Sequence, residues 1–362
     1  MTQIGRMDTD KIQINAQIFS TEEIEEKLND PNLQGWEKGI FDFVLNWFDE
    51  SDFILQKTSG STGTPKEYKL KKSAMVASAS KTINYFNLKK NDTVWLCLPI
   101  DYIAGKMMVV RALVGKLNLI LTPPEGTPQI PNQTIDFASM VPLQLNNLIE
   151  AKSDLSAVKK LIIGGAAINY QLQQSIQSLS SEIYATYGMT ETCSHIALQR
   201  LNGNNPDSTY KVLKGVTISA NSEHCLRIDA PGITSKPLQT NDIVEIISPS
   251  EFKWLGRADN VINTGGIKVS PEELEKELAH LLGFECLIVP LPDPKLGQKL
   301  ILVCEEGIIN PISKKDLQEL KKVVGKHRTP KAVYYLKQFP RNHSMKIDRN
   351  RIIQIINECY DT

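Results

Sequence analysis

Phe53-Ile-Leu-Gln56 runs straight into Lys57-Thr-Ser-Gly-Ser-Thr-Gly-Thr-Pro-Lys66, a short apolar strand feeding a loop of glycines and hydroxyls. Gly60 and Gly63 let such a backbone bend closely around an anion. The hydroxyls of Ser59, Ser61, Thr62 and Thr64, together with the Lys66 ammonium, offer donors to phosphate oxygens. The order differs from GxxxxGK[ST], because Pro65 separates Thr64 from Lys66 and no hydroxyl follows the lysine. A Ser/Gly-rich surface loop is the plain alternative. The strand immediately before it favours the phosphate reading, since α/β proteins bind ligands at the carboxyl ends of strands.

Outward from this loop one beat repeats. Residues 72–86 read as a helix, 93–99 as a buried strand, 104–114 as a helix and 117–121 as a strand. Residues 137–141, a helix through Leu148, and 161–163 before Gly164-Gly165 continue the pattern. Short apolar strands alternating with helices predict an α/β fold with a wound sheet. Residues 1–50 read as polar sequence with helical pieces, one starting near Thr21 with Ser20 or Thr21 as cap, another spaced helically from Gly39 to Phe48. Beyond residue 210, short strands at 212–218, 226–228, 242–247 and 252–255 predict a β-rich subdomain. After Arg257-Ala-Asp-Asn260 a compact α+β unit is expected, with helices at 272–282, 314–324 and 347–359 and strands at 285–289, 299–304 and 332–336. Leu274, Leu278 and Leu281 are placed on one face of the first of these helices, with Ser270-Pro271 as its cap and first-turn proline.

The 362 residues carry 41 Lys plus Arg against 41 Asp plus Glu, a formal net charge of zero. That removes the long-range attraction of a dedicated nucleic-acid or anionic-membrane binder, while a pocket for an acidic substrate needs only local charge. The six cysteines are scattered without a CxxC spacing, as expected of free thiols in a reducing compartment. The start lacks the apolar run of a secretory signal, and no stretch reaches the ~18 apolar residues of a membrane span. A cytoplasmic protein with no membrane insertion and no nucleic-acid partner is the expectation.

Further motifs follow the loop in order: Tyr187-Gly-Met-Thr-Glu-Thr192, Thr240-Asn-Asp242, Gly256-Arg-Ala-Asp-Asn260 with Gly265-Gly-Ile-Lys-Val-Ser-Pro-Glu-Glu-Leu274, and Pro340-Arg-Asn-His-Ser-Met-Lys346-Ile-Asp-Arg349. With the phosphate loop they resemble the five core motifs of the acyl-adenylate-forming enzymes: acyl-CoA synthetases, peptide-synthetase adenylation domains and luciferases. The resemblance covers the chain from about residue 53 to its end. It implies an N-terminally shortened adenylate-forming fold, with an ATP- and carboxylate-binding adenylation domain over 1–257 and a mobile C-terminal domain over 258–362. The implied reaction joins a carboxylate to ATP as an acyl-adenylate with loss of pyrophosphate, then passes the acyl group to the thiol of coenzyme A.

The resemblance also distributes roles. Thr58, with Ser59 through Lys66, would hold the β- and γ-phosphates, Thr190 would donate to the α-phosphate, and Glu191 would ligate Mg²⁺. Tyr187 would stack on adenine, Gly164, Gly165 and Ala166 would pass beside the base, and Asp242 would accept the ribose hydroxyls, a task suited to an acceptor-only carboxylate. Arg257 would touch ribose or phosphate. Lys346 would be the mobile lysine bridging carboxylate and α-phosphate oxygens. Asp259 would be the hinge, and the 265–270 loop, with Gly265, Gly266 and Lys268, would line the thiol tunnel. Taken singly, Asp242 reads as a strand-edge turn residue, Tyr187 as ordinary packing and Lys346 as a surface lysine. His195 and His343 lack a carboxylate at useful spacing and read as structural or surface residues, and no Ser-His-Asp system or zinc cluster is visible.

Three positions depart from the family pattern. Met345 stands where glycine usually precedes the lysine, Asn241 replaces the middle glycine of the ribose motif, and Asp101 takes the place of an aromatic or histidine in Leu98-Pro-Ile-Asp-Tyr-Ile-Ala-Gly-Lys106. Asparagine tolerates a left-handed turn, so the ribose motif is expected to survive, and Tyr102 could take over the pocket-facing role. The short stretch before Thr58 resembles the o-succinylbenzoate–CoA ligases of menaquinone biosynthesis. In that subfamily the acid pocket maps to Ile103, Gly105, Lys106, Arg111, Gly164, Ala166, Thr186 and Gly188. Lys106 or Arg111 could then face the second carboxylate of a dicarboxylate, or each could snorkel from the helix surface. Asp101 keeps an amino-acid adenylating enzyme open, a nucleotide-binding regulator is the non-enzymatic alternative, and a homodimer is left open.

Overall fold

The computed structural model describes residues 11–57, 67–306, 312–341 and 347–360. Asn15 and Ala16, both at positive φ (49° and 65°), form a two-residue turn between β1 (Lys11–Ile14) and β2 (Gln17–Ser20). This hairpin was not legible as strand, because its segments are only four residues long. Helix α1 (Thr21–Leu28) opens with a reciprocal cap: the Glu23 amide donates to Ser20 Oγ, and the Ser20 amide donates to the Glu23 carboxylate. Helix α2 (Gly35–Phe48) starts one turn before the predicted spacing and buries Ile40, Phe41, Phe43, Val44 and Trp47.

The alternating beat then appears as β3 (Phe53–Lys57), β4 (Glu67–Lys71), α3 (Lys72–Phe86), β5 (Thr93–Leu96), α4 (Ile103–Gly115), β6 (Asn118–Leu121), β7 (Phe137–Met140), α5 (Pro142–Glu150) and β8 (Lys160–Ile163). Helix α6 (Tyr170–Ser175) leads to β9 (Glu182–Gly188), β10 (His195–Arg200) and β11 (Tyr210–Val212). Strands β6, β5, β7, β8 and β9 lie parallel in that order. Beyond β6, β1 joins in parallel and β2 antiparallel; beyond β9, β10 and β11 run antiparallel. The central strands β6 and β7 are buried at all four positions, as a parallel sheet covered on both faces requires. Trp95, Phe137, Met107, Met108 and Leu119 are among its fully buried side chains.

The chain divides into two compact units. The first is Met1–Gly165, Ser175–Thr217 and Ile228–Leu238; the second is Ala166–Gln174, Ile218–Arg227 and Gln239–Thr362. Strands β12 (Thr217–Ala220), β13 (Cys225–Asp229), β14 (Leu238–Ser248) and β15 (Glu251–Arg257) lie side by side in that order. The single strand expected at 212–218 is broken, because the Val216 amide bonds back to Leu213 O (3.0 Å) and Gly215 takes a left-handed φ of 79°.

After a short 3₁₀ turn at Ala258–Asn260 come β16 (Ile262–Thr264), β17 (Ile267–Val269), α7 (Pro271–Leu282), β18 (Leu287–Asp293), β19 (Gly297–Glu305), α8 (Lys314–Val324), β20 (Ala332–Leu336) and α9 (Arg349–Tyr360). Strand β19 pairs antiparallel with β18 and β16 and parallel with β20. Alternation along β18 and β19 separates two cores. Ile288, Leu300 and Leu302 pack with Leu274, Leu278, Leu320 and Val324, while Leu287, Val289, Ile301 and Val303 pack with Phe339, Ile352 and Ile356. The α+β unit expected from the sequence is thus a sheet with α7 and α8 on one face and α9 on the other. Ser270 is the N-cap and Pro271 the first helical residue, as expected, though the Ser270 hydroxyl donates to Leu255 O (2.7 Å) instead of capping; Leu281, expected on the face of Leu274 and Leu278, is 46% exposed.

Candidate active site

In the first unit β3 and β4 form an antiparallel hairpin whose last pair is Lys57 with Glu67. The strands therefore present both ends of the loop that carries Thr58, Ser59, Gly60, Ser61, Thr62, Gly63, Thr64 and Lys66; these loop residues lie outside the described ones. Alternation along β3 turns Gln56 to the same face as Ile54, and its side chain is 2% exposed. Its amide donates to Lys57 O (2.6 Å) and Asp101 O (2.9 Å), and its carbonyl oxygen accepts from Lys106 Nζ (2.8 Å). Gln56 thus ties the root of the loop to the start of α4, and burial lowers the Lys106 pKa. Asp101 is exposed, Tyr102 is 48% exposed at the N-terminal end of α4, and Gly105 is buried within it. Nothing in sequence reasoning singled out Gln56, though its in-facing register beside a glycine loop was the available signal.

The end of β9 carries the second cluster. Thr186 Oγ1 donates to Ile163 O (3.2 Å), and a side chain at Gly164 would put its Cβ 2.2 Å from that hydroxyl. Gly165 follows, exposed. Tyr187 lies against Tyr210, ring centroids 5.8 Å apart, and burial pushes the Tyr210 phenol up to about 12. Gly188 faces the start of β10 so closely that a Cβ would sit 2.4 Å from Ser194 O. The chain then makes a 3₁₀ turn, Thr190–Thr192, braced by the buried Thr192 hydroxyl, which accepts from the Met189 amide (3.0 Å). Glu191 on this turn accepts a hydrogen bond from the Tyr68 phenol, which raises the Tyr68 pKa. Tyr68 stands opposite Gln56 in the hairpin, so the carboxylate expected to hold a metal is fastened to the root of the glycine- and hydroxyl-rich loop.

Arg111 is the largest surprise of this unit. It is 1% exposed, so it does not snorkel from the helix surface. Its guanidinium donates to Ser194 Oγ (2.7 Å) and Met108 Sδ (3.4 Å) and lies 5.9 Å from the Phe137 ring centroid. Its Nε has no hydrogen-bond partner among the described residues, and no described ion pair includes it. Burial brings its pKa down to about 9. His195 sits in the same buried patch between Ser194 Oγ (3.3 Å) and Thr82 Oγ1 (3.2 Å), a structural placement, with its pKa pushed well below the ordinary value by burial and by Arg111.

In the second unit Asp242 is 8% exposed and pairs with Arg257 across β14 and β15. Trp254 Nε1 donates to Asp242 Oδ1 (3.2 Å), a partner the sequence does not flag, because the two positions meet only once β14 and β15 pair. Arg257 stands 3.8 Å from Asp242 and 2.8 Å from Asp259, whose carboxyl it holds below its ordinary pKa. Asn241 lies within β14 at no left-handed φ, so its backbone needs no glycine. Ala166 is half-buried at the start of a segment of this unit. Gly265 and Gly266 (φ 59° and 83°) form the two-residue turn joining β16 to β17, so the expected loop is a tight hairpin with Lys268 exposed on its second strand. Lys346, with Met345 and His343, lies outside the described residues.

A single carboxylate suits an oxygen-ligand ion that keeps waters and phosphates as its other ligands. Glu191 supplies such a carboxylate. Among the described residues no group of three or more His, Cys, Asp or Glu could hold a metal without a substrate. An open cleft of about 670 Å³, lined by residues 127–134 with Leu148, Ser153, Asp154 and Ala157, contains none of the motif residues.

Residues 6–224 match the family described as AMP-binding enzyme. The chain belongs to that family. A 2-succinylbenzoate–CoA ligase of Bacillus cytotoxicus is 26% identical over 342 residues, spanning 83% of this chain and 69% of the relative. A solved acyl-CoA synthetase (AMP-forming)/AMP-acid ligase II-like protein from Dyadobacter fermentans is 32% identical, with a TM-score of 0.63 over 93% of this chain and 99% of its own. E. coli MenE with a bound OSB-AMS analogue shares the fold, with a TM-score of 0.67 at 21% identity over 84% of this chain and 69% of its own. Membership of this family, with relatives named as CoA ligases, makes the protein an AMP-forming carboxylate–CoA ligase using ATP and coenzyme A as substrates. No described helix is long and apolar enough to cross a membrane.

Proposed function

We propose that this ligase activates an aromatic dicarboxylate, o-succinylbenzoate, and passes it to coenzyme A in the cytoplasm, as a step of menaquinone biosynthesis. The observation that carries this reading is Arg111. An effective penalty of several kcal/mol attends each ion taken out of water, and a buried guanidinium without a counter-ion is stable only where other gains offset that penalty. Arg111 hydrogen-bonds Ser194, two residues past the turn that bears Glu191, so an acid bound there could supply the negative charge that no described residue provides. The relatives named as 2-succinylbenzoate–CoA ligases support the same substrate.

In the first half-reaction two anions meet, so donors must neutralise charge before the carboxylate reaches the α-phosphorus. Thr58 to Lys66 hold the β- and γ-phosphates and then the departing pyrophosphate. Thr190 donates to the α-phosphate, and Lys346 bridges the α-phosphate and carboxylate oxygens as charge develops. Mg²⁺ held by Glu191 would neutralise phosphate charge. Asp242, oriented by Trp254, accepts the ribose hydroxyls, Arg257 adds a contact to ribose or phosphate, and Tyr187 covers adenine beside Gly164 to Ala166. In the second half-reaction residues 258–362 turn about Asp259, and the Gly265-Gly266 hairpin with Lys268 meets the thiol of coenzyme A. Asp101 has its side chain exposed and its backbone oxygen held by Gln56, and an amino-acid substrate is the alternative that the panel below tests.

The test is AMP release and thioester formation with ATP, Mg²⁺, coenzyme A and a panel of o-succinylbenzoate, benzoate, fatty acids and amino acids. Activity confined to o-succinylbenzoate is expected. Arg111→Met should raise KM for that acid by about 10- to 100-fold, the effect of losing a charged hydrogen bond, and change benzoate turnover far less. Equal losses with both acids, or a preference for amino acids, would overturn the substrate assignment.

A further inference from the structure

Asn241 replaces a glycine of the family pattern, and nothing in its backbone explains why either residue is needed, since it sits in a regular strand. Its side chain does have a specific partner. Nδ2 donates to both carboxylate oxygens of Asp259, at 3.2 Å and 3.4 Å. The β14–β15 ladder ends at the pair Asp242 with Arg257, after which the chain leaves the sheet into the turn that contains Asp259. Asn241 therefore reaches over the last rung of the sheet to the first turn beyond it. Neighbouring backbone is pinned: Thr240 Oγ1 donates to Leu226 O (2.9 Å) and accepts from the Asp242 amide (3.1 Å).

Arg257 closes the circuit. It donates to Asp259 Oδ2 at 2.8 Å and lies 3.8 Å from Asp242 Oδ1, so both carboxylates share one guanidinium. We propose that Asn241 is a positioning residue that clamps the hinge carboxylate Asp259 against Arg257, coupling what binds at Asp242 to the angle of the hinge. This rests on reading Asp242 as the ribose carboxylate and Asp259 as the hinge. A sugar hydroxyl donating to Asp242 competes with Arg257 for that carboxylate and so strengthens the guanidinium's hold on Asp259. The coupling is reciprocal, as binding linkage requires. A glycine at 241 would leave Asp259 with Arg257 as its one side-chain partner among the described residues.

The full chain with Asn241→Gly or Asn241→Asp tests this. Amide hydrogen exchange over residues 257–264, with and without AMP, reports the hinge directly. Loss of one hydrogen bond to a charged group should speed exchange there about threefold or more without AMP, and shrink the change that AMP produces. Asn241→Asp should go further in the same direction, because two carboxylates then face each other. The ratio of adenylate formation to thioester formation from supplied adenylate should shift the same way in both variants, while melting temperature stays unchanged. Parent-like exchange and an unchanged rate ratio in both variants overturn the clamp. If AMP leaves the parent's exchange unchanged and does not bind, the ribose reading fails separately, and the nucleotide-free exchange rates still decide whether Asn241 holds the hinge.

Discussion

Single residues at the motif turn are placed by sterics that the sequence names but does not explain. Gly188 is glycine because a Cβ would meet backbone, Ser194 O at 2.4 Å, which cannot swing aside as a side-chain tip could. Gly188→Ala should destabilise by about 1–3 kcal/mol, the usual range for overpacking, and lower adenylation with it; urea denaturation reads the first effect. His195 is buried with its pKa pushed down, so at neutral pH it is uncharged. The unfolded chain, with an ordinary histidine pKa near ~6.5, binds a proton there first. Stability from this group is therefore complete above about pH 6.5 and is lost as pH falls below it, at up to about 1.4 kcal/mol per pH unit. Urea midpoints at pH 7.5 and 5.5 should show that slope, and His195→Asn should flatten it.

At the scale of elements, much depends on what holds their ends. Strand β3 and its partner β4 fix the two ends of the loop proposed to bind phosphate. Gln56 and Tyr68 then carry that placement to α4 and to the turn bearing Glu191. Elsewhere α9 is tied to α7 by a buried ion pair. Arg349 donates through both terminal nitrogens to Glu275, which also accepts from the Ile288 amide (2.7 Å). Burial raises the Glu275 pKa, and the guanidinium opposes that shift. Arg349→Met should cost about 3–5 kcal/mol by stranding the carboxylate, whereas the double change with Glu275→Leu should recover much of the loss. Chemical denaturation of both variants measures this directly. The pair was invisible in sequence: positions 74 residues apart meet only because β18 lies between their helices.

For the whole molecule the prediction concerns the two half-reactions. Lys346→Ala should lower adenylate formation by about 10²–10³-fold, the scale of losing one donor to developing charge, and leave thioester formation from supplied adenylate much less affected. Pyrophosphate exchange and single-turnover thioester assays separate the steps; equal loss in both would overturn the assignment of Lys346 to the first step alone. The alternating strands and helices of the first unit and the α+β unit at the carboxyl end were legible because buried strands and amphipathic helices write their periods into the sequence. The β1–β2 hairpin and the break at 213–216 were not, since short strands and turns carry little periodic signal.

What the sequence determined by itself is the inventory: the wound α/β sheet, the order of five motifs, and the residue types able to meet phosphates, ribose and an acid. Those are local properties, set by periodicity and by which side chains can donate or accept. Only the tertiary structure decided which of these groups share charge. It buried Arg111 beside Ser194 with no carboxylate among the described residues paired to it, joined Glu191 to the loop root through Tyr68, and set Asn241 on Asp259. Burial and pairing depend on chain segments far apart in sequence, and the energy of a charge depends on what surrounds it more than on which residue carries it.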